Sequence, residues 1–282
     1  MNTTTPTAAE KKSNMKVLEE NCRTFYIPIS YLPEIIKEAV ASAYLCLRAI
    51  DEVEDHPTME NALKAKILRE ISYTIQTSTA ESTAEDLTPN WCGAEAQLPE
   101  VSLRIGEWLL MAPKDIASRI WEATAGMSER MAFWAERNWE IKSVKDLDAY
   151  TFSVAGAVGL LLSDLWAWFE GVKTDRHLAV AFGRGLQATN ILRNRGEDKE
   201  RNVTFYPPGW TDEDMQNYAR KNLEGGEIYR QSLPEGSAAL TFCKIPHALA
   251  VATLNILQAG KAKLDRTEVT TIVKDCLKVQ GQ

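Results

Sequence analysis

The sequence predicts an all-α protein. Apolar residues recur three and four positions apart along nearly every segment, which is the period of a helix with one buried face. No run alternates apolar and polar residues around an Asn-Gly or Asp-Gly turn, so no sheet is indicated. No segment repeats at a fixed period. The expectation is one bundle of long helices around a shared core.

The elements follow in order. The start, "MNTTTPTAAEKKSNMK", is polar and has no apolar centre. Residues 1–18 are therefore expected to form a disordered tail rather than a signal peptide, and residues 19–282 a single domain. Pro33 marks a helix start, and "PEIIKEAVASAYLCLRAIDEVEDHP" runs until Pro57 ends it. "TMENALKAKILREISYTIQ" follows, with Thr58 as its expected N-cap. Residues 79–98 read as a polar loop. "PKDIASRIWEATAGMSERMAFWAER" is a long helix, and "SVKDLDAYTFSVAGAVGLLLSDLWAWFEG" opens on Ser143 and Asp146 in capping-box spacing and closes at Gly171. The next helix, "TDRHLAVAFGRGLQATNILRNRGEDKE", is expected to be capped by Thr174. After the loop "RNVTFYPPGW", helices are expected over about 211–223 and 227–241, then in "IPHALAVATLNILQAG" and "TEVTTIVKDCLKV".

Composition excludes several classes of function. The chain is 45% hydrophobic and 25% charged, with a net charge of −7 and a pI near 5.2. That balance lacks the basic patch of a nucleic-acid binder. The five cysteines show no C-x-x-C spacing and read as free thiols. Three scattered histidines, His56, His177 and His247, do not suggest a zinc site. The apolar run "VAGAVGLLLSDLWAWF" is short and contains Asp164, so it is expected to be a buried helix rather than a membrane span. The expectation is a cytoplasmic protein without a membrane anchor.

Two polar rows carry the candidate chemistry. Tyr44, Arg48, Asp51 and Asp55 fall within roughly 60° around a helix axis, with Glu54 beside them and apolar residues elsewhere. In "GLQATNILRNRGED", Gln187, Asn190, Asn194, Glu197 and Asp198 fall within about 100°. Two such rows facing each other would make an oxygen-lined cage suited to a hard cation such as Mg²⁺, which commonly bridges carboxylates to substrate phosphates. Arg48 lies in the first row, and Arg193 and Arg195 flank the second. Arg binds phosphate oxygens in a bidentate fork. The chemistry implied is departure of a diphosphate.

"YLCLRAIDEVED" resembles the first aspartate-rich motif, Y-x-x-x-R-x-x-D-x-x-E-D, of the squalene and phytoene synthase family. "CRTFY" is similar to the family's Ser-Arg-Ser-Phe segment, "LDAYTFSVAGAVGLLLSDLW" to its Val-Ala-Gly-x-Val-Gly segment, and "LQATNILRNRGED" to its second motif. "IPHALAVATLNIL" resembles a further helix of that family, so the match covers about residues 20–260. The resemblance implies an isoprenoid-synthase bundle around a central prenyl cavity. It implies Mg²⁺ on Asp51, Glu54 and Asp55, and on Asn190, Asn194, Glu197 and Asp198. It implies diphosphate contacts from Arg23, Tyr44 and Arg48, with Gln187 and Arg193 on the substrate side. It places Tyr150 beside a cationic intermediate, and Gly156 and Gly159 where an isoprenoid chain could lie against a thinned helix wall. The expected substrate is a prenyl diphosphate, farnesyl diphosphate above all. NADPH would be needed if a reductive second step follows, and the oily product would leave through a transient membrane contact.

Two positions depart from the family pattern. Asn194 stands where the second motif usually has Asp, and Val203 stands where Gly-Arg usually precedes an aromatic-Pro pair. These motivate an alternative in which a single prenyl diphosphate is ionised, as by a terpene cyclase or a prenyl diphosphate phosphatase. "GRGLQA" at 183–188 fits G-x-G-x-x-A, but it lies within a helical stretch with no preceding strand, so it is rejected as a dinucleotide fingerprint.

Overall fold

Residues 8–22, 25–200 and 203–278 are described in a computed structural model. Among them every regular element is helical. The backbone groups into two compact units, Met1–Asn138 and Trp139–Gln282.

In the first unit, helix α1 (Ala8–Asn21) occupies most of the expected tail. Its order rests on an apolar anchor: Leu18 is fully buried, and α1 packs on α3. After α2 (Tyr26–Ser30), helix α3 (Glu34–Glu54) begins directly behind Pro33 as expected. Helix α4 (Asn61–Thr77) is preceded by Glu60 and has no side-chain cap. Thr58 is not the cap, because the backbone N–H groups of Thr58 and Met59 turn back to His56 Nδ1, at 3.4 and 3.0 Å. The loop over 79–98 is as expected apart from a 3₁₀ turn at Glu95–Gln97. Two short helices missed by the periodicity, α5 (Glu100–Leu103) and α6 (Ile105–Leu110), precede α7 (Lys114–Glu136).

Helix α3 is central to this unit and packs against α5, α6 and α7. Its buried polar atoms are satisfied across those contacts. Ser42 Oγ donates to Trp108 O at 2.7 Å, and Ser102 Oγ donates to Ala49 O at 2.9 Å.

In the second unit, α8 (Val144–Thr151) is capped as the sequence implies. Ser143 Oγ accepts from Asp146 N at 3.2 Å and donates to Asp146 Oδ2 at 2.9 Å. The same long helix continues through a π-helical turn, Phe152–Gly156, into α9 (Ala157–Glu170), which stops at Gly171 with φ +69°. Helix α10 (Arg176–Glu200) is capped by Asp175 instead of Thr174: Asp175 Oδ1 accepts from His177 N at 2.8 Å and Leu178 N at 3.2 Å.

Helix α11 (Asp212–Gln231) runs unbroken through Gly225 and Gly226, where two helices were expected. Both glycines face α10, with Ala181 and Phe182 where a Cβ would point, so contact rather than a turn explains them. Helix α12 (Ala238–Gln258) likewise joins two expected segments and keeps Pro246 inside. Its N-terminus is held by Ser237 and by the Glu170 carboxylate, which accepts from Ala238 N and Ala239 N, each at 3.0 Å. Helix α13 (Arg266–Lys278) is the last.

The stretches Val144–Glu170 and Ala238–Gln258 are long and apolar enough to cross a membrane by length and composition. The first, expected to be buried, has only 33% of its most apolar window buried. Val158, Leu160 and Leu162 are part-exposed on it.

Candidate active site

The first row lies along one face of α3, as its spacing required. Eleven of the helix's residues are buried, while Tyr44, Arg48, Asp51 and Glu54 are half-buried and Asp55, at the C-cap, is exposed. Burial raises the Asp51 carboxyl to about 7, the neighbouring Asp55 adds to this, and Arg48 opposes it. The Arg48 guanidinium is paired with Glu52 one turn on. Its Nε is buried with no hydrogen-bond partner. Glu52 was missed in the sequence although its i,i+4 spacing from Arg48 announces the pair.

Tyr44 sits against the end of α1: its hydroxyl donates to Asn21 O at 3.4 Å, and its ring lies 6.1 Å from that of Phe25. Burial holds its phenol neutral far above the ordinary range. Cys22 lies beside Tyr44, and burial pushes its thiol up to about 11. Lys64 Nζ donates to Glu54 O at 2.6 Å, fixing the end of α3. Arg23 lies outside the described residues.

The second row lies on α10. Gln187, Asn190 and Asn194 are half-buried, Asp198 is buried, and Arg193 and Glu197 are exposed. Asn194 Oδ1 accepts from Arg193 Nε at 3.1 Å. Arg195, expected as a phosphate cation, is engaged elsewhere. It is ion-paired with Asp212 and stacks over the Tyr206 ring at 4.5 Å. Tyr206 Oη also donates to Asp212 Oδ1 at 2.8 Å. Arg195 thereby pins the segment after α10. Val203 adds to this through its N–H, which donates to Asp198 O at 3.0 Å. Arg201, the cation two residues before Val203, lies outside the described residues.

Tyr150 is buried and stacks on Phe205, with ring centroids 4.5 Å apart and planes 13° from parallel. Phe205 was not anticipated, because the pair is 55 positions apart and no local pattern signals it. The two glycines of the Val-Ala-Gly-x-Val-Gly segment meet a neighbouring helix. A Cβ on Gly159 would lie 2.3 Å from Ala179 O, and one on Gly156 would lie 3.1 Å from Val180 Cγ1. At both positions the thinned wall admits α10.

Among the described residues, no three His, Cys, Asp or Glu side chains are gathered to hold a metal ion. The donor chemistry nevertheless fits Mg²⁺. Asp51 and Asp55 are hard oxygen donors, and the charge of Asp55 helps to raise the Asp51 carboxyl. Mg²⁺ ordinarily takes only one or two carboxylates and completes its shell with water and phosphate oxygens. Gly183 and Gly185 both lie inside α10, with no strand before them, so they do not form a dinucleotide cradle.

A sequence profile described as squalene/phytoene synthase matches residues 18–216, which contain both rows and Tyr150. The chain belongs to the squalene/phytoene synthase family. It is 30% identical over 275 residues to squalene synthase of Schizosaccharomyces pombe, covering 85% of this chain and 58% of that one. It is 27% identical to squalene synthase of Candida albicans, over 85% and 60% of the two chains. With squalene synthase of Rattus norvegicus it shares 26% identity, over 94% and 69%. The chain thus spans about three fifths of the length of these fungal relatives.

Two solved structures share the all-α fold. The complex of TcSQS with ligand BPH1237 has a TM-score of 0.73 at 22% identity, over 94% of this chain and 85% of that one. A dehydrosqualene synthase in complex with a ligand has a TM-score of 0.61 at 18% identity, over 95% of each.

Proposed function

We propose that the chain condenses two molecules of farnesyl diphosphate head-to-head, through a cyclopropylcarbinyl diphosphate, to a C30 product of the presqualene diphosphate, squalene or dehydrosqualene type. The observation that carries this reading is the α3 face. Arg48, Asp51 and Asp55 share one polar stripe on an otherwise buried helix, and the carboxyl of Asp51 is raised to about 7 where a structural ion pair would lower it. A partly buried stripe of that kind suits a multiply charged ligand that arrives with its own cations.

Mg²⁺ held by Asp51, Asp55 and Glu54, and by Asn190, Asn194, Glu197 and Asp198, would supply positive charge against the departing diphosphate. The Arg48 guanidinium, steadied by Glu52, keeps its buried Nε–H available for a phosphate oxygen. The stacked rings of Tyr150 and Phe205 offer a π-rich surface to a carbocation. Gln187 and the exposed Arg193 lie along the second row as further polar contacts.

A second reading is favoured by Asn194. It carries no charge, and its carbonyl oxygen already accepts from Arg193. On this reading a single prenyl diphosphate ionises and is captured by water or cyclises.

Incubation with farnesyl diphosphate and Mg²⁺, with and without NADPH, separates the two when organic products are identified by mass spectrometry and diphosphate release is followed. A C30 hydrocarbon, or a C30 diphosphate without NADPH, is the expected result. A C15 alcohol or cyclic C15 hydrocarbon would establish the second reading, and an Asn194→Asp variant that then switched to a C30 product would locate the cause.

A further inference from the structure

The G-x-G pair in "GRGLQA" has a structural use that no dinucleotide explains. Gly183 lets α10 meet the π-helical turn: a Cβ there would lie 2.3 Å from Ala155 O and 2.9 Å from Gly156 Cα. Gly185 does the same for α11, where a Cβ would meet Leu223 side-chain and backbone atoms at 2.8–2.9 Å. Arg184, between the two glycines, reaches the end of α8. Its Nη2 donates to Asp148 O at 3.1 Å, and its Nε is buried without a partner.

That carbonyl is a junction. It also accepts the backbone N–H of Phe152, the first residue of the π-helical turn. The side chain of the same aspartate is tied from another helix: Tyr218 Oη, on α11, donates to Asp148 Oδ1 at 2.7 Å and lies 3.1 Å from Thr151 Oγ1. Trp210 covers the Tyr218 ring, with centroids 5.9 Å apart. Tyr150, which stacks on Phe205, lies between Asp148 and the turn in sequence.

A π-helical turn shifts helical register and is held only where its surroundings require it. We propose that Arg184, set by its flanking glycines, clamps this turn together with Asp148 and Tyr218, and thereby fixes the orientation of Tyr150. These are positioning residues, and their effect on turnover rests on the proposed reaction. The geometry of the clamp does not depend on that reaction.

Two readouts keep these apart: hydrogen exchange of backbone amides 150–157, and diphosphate release from farnesyl diphosphate with Mg²⁺. In Tyr218→Phe and in Arg184→Met, exchange over 150–157 should rise about tenfold, the scale of one lost hydrogen bond. kcat should fall about tenfold or more with KM within about twofold, since small displacements of a reacting group are costly. Arg184→Lys should recover part of both. Tyr229→Phe, a buried tyrosine whose hydroxyl lies 3.3 Å from Ser163 Oγ in another part of this unit, should change neither.

Unchanged exchange in both variants overturns the clamp. Faster exchange with unchanged kcat overturns the positioning of Tyr150. A parent protein that releases no diphosphate counts against the proposed reaction, and faster exchange in the variants then still upholds the clamp. Circular dichroism identifies a variant that fails to fold, and the other variant then decides.

Discussion

Asp51 is held where its charged form is disfavoured, by burial first and by Asp55 second. Its folded pKa, raised to about 7, lies above the ordinary carboxylate value, so the folded state binds the proton more tightly than the unfolded chain. In metal-free protein this contribution to stability is therefore present at acidic pH and is lost as pH rises towards about 7. Asp51→Asn keeps the shape and removes the charge. It should raise Tm by about 2–6 °C at pH 8, while diphosphate release falls about 100-fold or more. Thermal melts without metal and a release assay with Mg²⁺ check the two halves, and release retained at the parent rate would remove Asp51 from its assigned role. The face containing Asp51 was legible from spacing alone. The engagement of Arg195 by Asp212 and Tyr206 was not, because an Arg in a row looks the same whether it meets a phosphate or a partner 17 residues away.

At the scale of elements, glycine positions decide how closely helices meet. Gly159 lets α9 approach the backbone of α10, and a methyl group there has no room beside Ala179 O. Gly159→Ala should therefore cost about 1–3 kcal/mol, the range of an overpacked contact. Gly196, in α10, has nothing within 4 Å of its Cβ position, and Gly196→Ala should stabilise by about 0.5–1 kcal/mol through helix propensity. Urea unfolding of both variants tests the contrast, and equal shifts would contradict it. A second test concerns the end of α9. Glu170 caps α12 with both carboxylate oxygens, so Glu170→Ala should cost about 1–2 kcal/mol, read from the same unfolding curves. The sequence marks these glycines and this acid, but not their use, since a glycine in a helix is written identically whether it ends a turn or admits a neighbour.

Over the whole molecule, opposing titrations should give a peaked stability profile. Arg69 holds the Glu136 carboxyl below its usual range, and Arg230 does the same for Glu227. Hydrogen bonds within the Thr211 capping box lower that of Asp214. Their stabilisation is present above the unfolded carboxylate pKa and is lost as pH falls through the lower folded values, whereas Asp51 works in the other direction. Metal-free Tm should peak at about pH 4–6, and Asp51→Asn should flatten the fall on the alkaline side. A curve whose alkaline side is the same in the variant would contradict this.

The sequence by itself determined the helical class, the boundaries at Pro33, Ser143 and Gly171, both polar rows and the family. Each of these is written in local periodicity, in a cap or breaker, or in a contiguous motif. Only the tertiary structure decided that α11 and α12 run unbroken, that Gly156, Gly159, Gly183 and Gly185 face other helices, that a π-helical turn follows Tyr150, and that Phe205 stacks on it. Periodicity tells which face of a helix is buried. The side chain that meets that face comes from a distant part of the chain, and packing alone selects it.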